Sequence, residues 1–418
     1  ASATGVEYAS AEIGSGASLT VTVDGANTVL TPSGVVGTKA DGTTGTMTKE
    51  DTVASTGAYT LSGGELIING TNTSFDGKVA ADTATKKANG TITLNATNKD
   101  AAGTGVTYTG LEAGTYSTLN LNLNVFNAAT AGTPGSVTIG DTSKSLELKA
   151  GTLTTGTIAS SVSGSTNKAT AEIKGNTLVF GDPTGTVGTN KEPSATNPGS
   201  AYDFNNAADV QLKVTAGDTV TFNKGTITNA GKMTITGAQG VTVEKEVSIA
   251  NTGDLTFKDD AKVDFKADYT ASAGRLFIES QANTISGNIT ADSLKFGTRI
   301  TDSDTAKETN QVVITATSSG ENIIAYGSTV DVKALTVEDA ATTINGTLKA
   351  ATTAVTDATT AGLTVADTTK KVDQNTTITQ YAAVSLGDIT VGSAASGATT
   401  GATFTLTNNA ENAVEASS

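Results

Sequence analysis

The chain has 418 residues, a formal net charge of −15, and neither cysteine nor histidine. These counts exclude disulfides, zinc sites built on cysteine or histidine, thiol nucleophiles and Ser-His-Asp triads. They also disfavour nucleic-acid binding, which needs a basic surface, and the chain has only two arginines, Arg275 and Arg299. Aromatic residues make up 4% and tryptophan is absent, so we expect thin cores, short strands and tight turns.

The first region, residues 1–180, has the sequence pattern of an all-β structure. The stretch ASLTVTVDGANTVL, residues 17–30, predicts a strand, a turn at DGAN and a second strand. The same alternation of apolar and polar residues recurs in GTITLNATN and STLNLNLNVF. No repeat of fixed length emerges, so a sandwich-like region and an irregular solenoid both stay open for residues 1–180.

The next segment, GDPTGTVGTNKEPSATNPGSAY, covers residues 181–202 and holds three of the five prolines. Proline and glycine at this density interrupt strands and favour loops. The segment is therefore predicted to be either a linker between domains or a long protruding loop.

The clearest internal repeat lies in residues 203–350. TITNAGKMTI aligns with SIANTGDLTF at an offset of 22 residues, which places Val241 over Val263. An offset shorter by one residue continues the series and places Leu255 over Leu276. Each copy carries three short alternating stretches separated by glycine and asparagine, the residues that turns require.

A repeat of this length indicates a solenoid. It is too short for a βαβ unit and fits one three-strand coil of a parallel β-helix. Coils stacked about 4.8 Å apart would bury like residues over like, and Asn229 and Asn251 would form an amide ladder at a turn. An antiparallel meander or sandwich shares the alternation, but the self-match favours the solenoid.

The sequence therefore predicts an all-β fold with a parallel β-helix (β-solenoid, about 22 residues per coil) in at least residues 205–350. A β-rich region dominated by threonine and alanine follows in residues 351–418.

Candidate chemical groups are few. No residue qualifies as catalytic or cofactor-binding, and we expect no enzyme, because aromatic platforms and arginines are too scarce for the sugar sites that some β-helices carry. The metal-binding residues are unknown. The acidic pairs Asp302/Asp304 and Asp259/Asp260 could bind calcium, but neither lies in an EF-hand loop, and solvated loop carboxylates explain them better.

The stretch GTITNAGKMTITGAQGVTVEKEVSIANTGDLTF resembles the repeats of secreted bacterial β-helical surface proteins, such as autotransporter passengers and adhesin stalks. The likeness covers roughly residues 205–350 and rests on an Asn-x-Gly turn between apolar pairs. The overall composition is similar to that of surface-layer (S-layer) subunits. The resemblance implies export, an extracellular or cell-surface location, and a structural or adhesive role, and it assigns no functional residues.

The start of the chain is compatible with export. Ala1 opens a segment with neither a basic nor an apolar region, which is how a mature chain begins after its signal peptide is removed, although a shortened chain would begin in the same way. No apolar run approaches the ~18 residues of a membrane span.

These features together predict a secreted structural protein that self-assembles into a cell-surface layer or an extracellular filament. We expect a homo-oligomer or polymer, without a nucleic-acid partner. The alternative is an adhesin passenger or phage-fibre-like module that contacts a host surface or a glycan without catalysis.

Overall fold

A computed structural model describes residues 5–24, 27–81, 89–96, 105–126, 134–158, 169–183, 199–297, 309–316, 320–325, 327–337, 341–344, 346–356, 362–365, 384–392, 403–406 and 415–416. The chain divides into two compact units, residues 1–234 and 235–418. The described residues form strands and turns without a helix, so the all-β prediction is confirmed.

The strands of the first unit are short, with one long exception. They are β1 (Glu7–Gly14), β2 (Ser18–Asp24), β3 (Asn27–Ser33), β4 (Val36–Thr38), β5 (Thr44–Thr46), β6 (Thr52–Gly70), β7 (Thr73–Phe75), β8 (Lys78–Val79), β9 (Asn89–Ala96), β10 (Gly105–Tyr108), β11 (Gly114–Tyr116), β12 (Thr118–Phe126), β13 (Ser136–Gly140), β14 (Leu146–Leu148), β15 (Gly151–Ile158), β16 (Ala169–Gly175), β17 (Leu178–Phe180), β18 (Tyr202–Asn206), β19 (Val210–Ala216), β20 (Thr219–Phe222) and β21 (Gly225–Asn229). The boundary between the units falls within β22 (Lys232–Gly237).

The second unit continues with strands of similar length. They are β23 (Gly240–Val243), β24 (Val247–Asn251), β25 (Asp254–Asp259), β26 (Lys262–Phe265), β27 (Tyr269–Thr270), β28 (Arg275–Ser280), β29 (Ala282–Ile285), β30 (Ile289–Phe296), β31 (Gln311–Ala316), β32 (Asn322–Ile324), β33 (Thr329–Val337), β34 (Ala341–Ile344), β35 (Thr347–Thr356), β36 (Gly362–Val365), β37 (Val384–Gly392), β38 (Thr403–Leu406) and β39 (Glu415–Ala416).

In the first unit, successive laps of the chain add strands to three parallel stacks. The first sheet stacks β6, β9, β12, β15, β18 and β21. The second stacks β7, β10, β13, β16 and β19, and the third stacks β11, β14, β17 and β20. This is a parallel β-solenoid, which decides between the two alternatives left open for residues 1–180.

The laps of the first unit differ in length, which explains why no fixed repeat is visible there. Asn69 and Asn95 are stacked neighbours 26 residues apart, and Asn95 and Asn124 are stacked neighbours 29 residues apart. Asn120 and Thr152 contact each other across the next lap, 32 residues apart. The strands keep their register while the connecting segments vary.

The core of the first sheet is a column of apolar side chains along the stack. Leu66, Ile92, Leu121, Leu153 and Phe204 are paired in register on successive strands and are all fully buried. Each such burial contributes roughly 1.5–3 kcal/mol. Cohesion therefore runs from lap to lap along each stack.

Among the described strands of the first unit, antiparallel pairs of strands occur only at its beginning. β2 and β3 form the predicted hairpin, with Asp24 opposite Asn27, and β4 pairs antiparallel with both β1 and β5. β1 and β2 both lie parallel to the long β6. At this end of the first sheet, β3 and β4 therefore run antiparallel to the strands of the parallel stack.

The proline-rich segment leaves and rejoins the first unit at one place. Asp182 and Ser200 form an isolated antiparallel bridge, with their backbone amides donating to each other's carbonyl oxygens at 2.8 Å. Residues 184–198 lie outside the described residues. The linker and the protruding loop both stay predictions.

In the second unit, the repeat found in the sequence is a structural repeat. Val241 pairs in register with Val263 on parallel β23 and β26, and Leu255 pairs with Leu276 on β25 and β28. Parallel pairing continues beyond residue 350, from β35 to β37 and from β36 to β38. The predicted solenoid is therefore confirmed in this unit and extends into the Thr/Ala-rich region.

Candidate binding and assembly surface

The outward side of the first sheet in the first unit is a regular polar surface, here termed the polar face. Its residues alternate along each strand with the buried apolar column and align in rows across β6, β9, β12, β15, β18 and β21. The rows carry no lysine or arginine, and their residues are Glu65, Ile67, Asn69, Thr91, Thr93, Asn95, Asn120, Asn122, Asn124, Thr152, Thr154, Asp203, Asn205, Thr226 and Thr228. The surface is mostly hydroxyl and amide, with two carboxylates.

Hydrogen bonds between laps order the polar face. The Asn95 side-chain amide donates to Asn69 Oδ1 at 2.7 Å, and the Asn124 amide donates to Asn95 Oδ1 at 2.8 Å. Thr93 Oγ1 donates to Glu65 Oε1 at 2.6 Å. Each ladder amide keeps a second N–H and an oxygen lone pair, so the face offers ordered donors and acceptors to a ligand or another chain.

The start of the first unit offers a different surface, the N-terminal edge, which consists of β3. Among the described strands, β3 pairs with β2 alone. Val29 is 53% exposed, the largest exposure of any described large apolar side chain. Residues 25–38 contain no charged residue, although charges are a common means of protecting sheet edges from other chains.

A buried pair of stacked asparagines occurs in the first unit, between Asn206 and Asn229, whereas the expected ladder between Asn229 and Asn251 stays a prediction. The Asn206 amide donates to Asn229 Oδ1 at 2.8 Å, and Thr155 Oγ1 donates to Asn206 Oδ1 at 2.8 Å. In the second unit, the buried Asn251 amide donates to the carbonyl oxygen of Arg275 at 2.8 Å. These contacts satisfy buried polar groups, and their burial makes them structural.

The acidic pair Asp259/Asp260 does not converge on one point. Asp259 is 3% exposed, whereas Asp260 is exposed to solvent. Asp259 Oδ1 accepts the Ala261 amide at 2.7 Å, Oδ2 has no hydrogen-bond partner, and burial raises the pKa of this carboxyl. Asp302 and Asp304 lie outside the described residues. In the part of the chain that the structure describes, no group of three potential metal ligands comes together.

An ion pair lies where the proline-rich segment leaves the first unit. Lys149 Nζ lies 3.2 Å from Asp182 Oδ2 and 3.7 Å from Glu147 Oε1. Ser200 Oγ donates to the carbonyl oxygen of Lys149 at 3.0 Å. One lysine thus contacts both ends of the segment, an arrangement that the sequence pattern did not indicate.

The signal for the polar face was present in the sequence as the strict alternation in STLNLNLNVF. Which of these side chains align in rows depends on the register between strands. That register was not visible in the sequence, because the number of residues per lap varies. The N-terminal edge was indicated only as a hairpin, because sequence does not show which side of a hairpin another strand covers.

No protein-family model, curated protein or solved structure matches the chain. Its likeness to secreted β-helical surface proteins therefore stays a prediction, as does the absence of enzymatic activity. Across the described ranges, no helix has the length and apolarity of a membrane span.

Proposed function

We propose that this protein is a secreted structural protein whose copies assemble into a cell-surface layer or an extracellular filament. The observation that carries the proposal is the N-terminal edge, a seven-residue strand with no described partner on one side. An open strand edge presents unpaired backbone groups to any chain that reaches it. Keeping such an edge uncharged favours a contact.

The charge of the chain supports the same proposal. With 41 acidic and 26 basic residues, copies repel one another at long range, and salt screens this repulsion beyond about 8–10 Å. Contacts between copies are then favoured at surfaces with little charge. The N-terminal edge and the largely uncharged polar face both meet this condition.

Electron microscopy of the purified protein tests the proposal. We expect ordered sheets or filaments in at least one condition of a series that varies ionic strength and calcium. Higher salt should promote assembly if repulsion opposes it, and a calcium requirement would point to the acidic residues. Dispersed monomers under every condition would contradict the proposal.

The polar face favours a second candidate function, an adhesin passenger or phage-fibre-like module. Its ordered amides and hydroxyls resemble the donors and acceptors that hydrogen-bond sugar hydroxyls. This alternative predicts binding to host cells or immobilised glycans without polymers. Asn95→Ala, which breaks the ladder between Asn69 and Asn124, should weaken such binding, whereas Thr38→Ala, outside the polar face, should not.

A further inference from the structure

We propose that the N-terminal edge pairs with the N-terminal edge of a second copy, as two antiparallel β3 strands related by a two-fold axis. The inference rests on the proposed self-assembly and deepens it by naming the contact. Because the axis relates identical strands, the same residues contribute from both copies.

Both faces of β3 offer apolar surface to this contact. Leu30 lies opposite the fully buried Val21, so it is on the core side, yet it is only half-buried. Val29 lies opposite the exposed Thr22 on the outward side. A strand placed along the open edge of β3 would cover Leu30 on one face and Val29 on the other.

The directions of the strands favour a second copy over continued parallel stacking. β3 runs antiparallel to β2, and a two-fold axis makes two β3 strands antiparallel, so β2 and β3 of both copies extend one antiparallel pattern. Charge favours the same partner, because residues 25–38 are uncharged in a chain of net charge −15 and two such edges meet without local repulsion.

The other antiparallel edge strand at this end is blunted. β5 has three residues, and Lys39, Asp41, Lys49 and Glu50 lie close to it in sequence. Short length and nearby charges are the usual protections of an edge strand. β3 is longer, with seven uncharged residues, and its protections are limited to Asp24 beside its first residue and Pro32 near its end.

Pro32 limits the contact. Proline has no amide hydrogen to donate, so the uninterrupted pairing run is Asn27–Thr31. An axis near Val29 pairs this run with itself, so that the two Val29 side chains lie opposite each other and Leu30 of each copy lies beside Thr28 of the other. Cross-strand pairs of apolar and β-branched residues are the stabilising kind.

Analytical ultracentrifugation across a protein concentration series tests the contact. We expect a monomer–dimer equilibrium for the unaltered chain and a loss of at least tenfold in association for Val29→Lys, which brings two like charges together. Val29→Thr, neutral and β-branched, should retain the dimer, as should Thr270→Lys, which adds the same charge at an exposed position on β27, outside both surfaces. Circular dichroism melting shows that each variant is folded.

Cysteine scanning gives a second measurement that does not depend on a destabilising change, because the chain contains no cysteine. Single variants Thr28→Cys, Val29→Cys, Leu30→Cys and Thr31→Cys are oxidised mildly, with the exposed Thr270→Cys as the control. We expect disulfide-linked dimers to peak at Val29 and to be weaker at Thr28, Leu30 and Thr31. Equal, low cross-linking at all five positions would overturn the proposed pairing.

The outcomes separate this inference from the proposed function. Dimers that cross-link through β3 and form no larger assembly would support the contact and contradict the surface layer or filament. Larger assemblies that persist undiminished in Val29→Lys, without cross-linking through β3, would support self-assembly and overturn this contact.

Discussion

Strand β12 in the first unit and strand β28 in the second show two ways of using the same parallel pairing. β12 alternates regularly, with buried leucines inward and half-buried asparagines outward. All six residues of β28 are buried, including those on the outward side: Arg275, Phe277 and Glu279. The outward side of a stacked strand is therefore a surface in one region and part of the interior in the other.

The sheet around β28 also departs from simple lap order. β31 lies between β28 and β30, although it follows β30 in the chain. Arg275 makes a bidentate ion pair there with Asp254, with nitrogen–oxygen distances of 2.7 and 2.6 Å, and lies 5.4 Å from the centre of the Phe277 ring. The buried outward Arg275 is thus paired with an opposite charge, whereas the polar face consists mostly of neutral hydroxyl and amide groups.

Truncation of an outward side chain should give the largest difference between the two regions. Phe277→Ala is expected to lower the free energy of unfolding by about 3–5 kcal/mol, as for a core aromatic. Asn122→Ala, at the corresponding outward position of β12, should change it by about 1 kcal/mol or less. Denaturant unfolding measures both, and similar losses for the two variants would remove the distinction between the regions.

Disruption of the Asp254–Arg275 pair should have the next largest effect. Asp254→Asn keeps the shape of the side chain but leaves the buried Arg275 without its charged partner, which should cost about 3 kcal/mol. The control is Glu50→Gln, which removes the exposed pair with Lys49 and should cost about 1 kcal/mol or less. If the two substitutions had equal effects on thermal unfolding, the pair around β28 would not be an interior one.

The amide ladder offers a smaller, local test within the first unit. Asn206→Ala should destabilise the fold by about 1–3 kcal/mol, because it leaves Thr155 and Asn229 without their shared buried partner. The adjacent Asn205 is exposed on the polar face, so Asn205→Ala should be nearly neutral. If chemical denaturation showed a larger loss of stability for Asn205→Ala than for Asn206→Ala, the ladder would not be buried and this assignment would be wrong.

The smallest effect should be a change in pH dependence at Asp259. Burial raises its folded-state pKa above the ordinary value of 3.8, so the folded state binds more protons in the window between the two values. As pH rises through that window, the folded state loses this proton and the free energy of unfolding falls. Above the window, the buried Asp259 carboxylate is charged and destabilises the fold.

Asp259→Asn removes this penalty while keeping an oxygen for the Ala261 amide. The variant should match the unaltered chain at pH 3 and exceed its melting temperature at pH 7. Asp260→Asn, at the exposed neighbour, should not alter the difference between the two pH values. A melting temperature for Asp259→Asn below that of the unaltered chain at pH 7 would show that the carboxylate is satisfied.

What the sequence reveals depends on whether laps have equal length. Val241 and Val263 are recognisable as stacked neighbours because their laps match, whereas Leu121 and Leu153 are paired just as regularly but follow a lap of a different length. Asp259 continues the inward parity of Leu255 and Phe257, so its burial could have been predicted from period-2 alternation alone.

Other features are not encoded locally. The place of β31 between β28 and β30 depends on long-range pairing, and QVVITA would suit an interior strand of any lap. The open side of β3 likewise depends on what the rest of the chain leaves uncovered. The candidate surfaces therefore required the fold, although the alternating asparagines of β12 and the uncharged run at residues 25–38 were both visible in the sequence.

The most direct test of lap-on-lap stacking uses paired cysteines on β23 and β26. Thr242 pairs in register with Asp264, and neighbouring strands about 4.8 Å apart lie within the Cα–Cα range of a disulfide. Thr242→Cys with Asp264→Cys should therefore oxidise readily to an intramolecular disulfide. Thr242→Cys with Lys262→Cys, two residues out of register and about 8 Å apart, should not, and cross-linking that favoured this second pair would contradict in-register stacking.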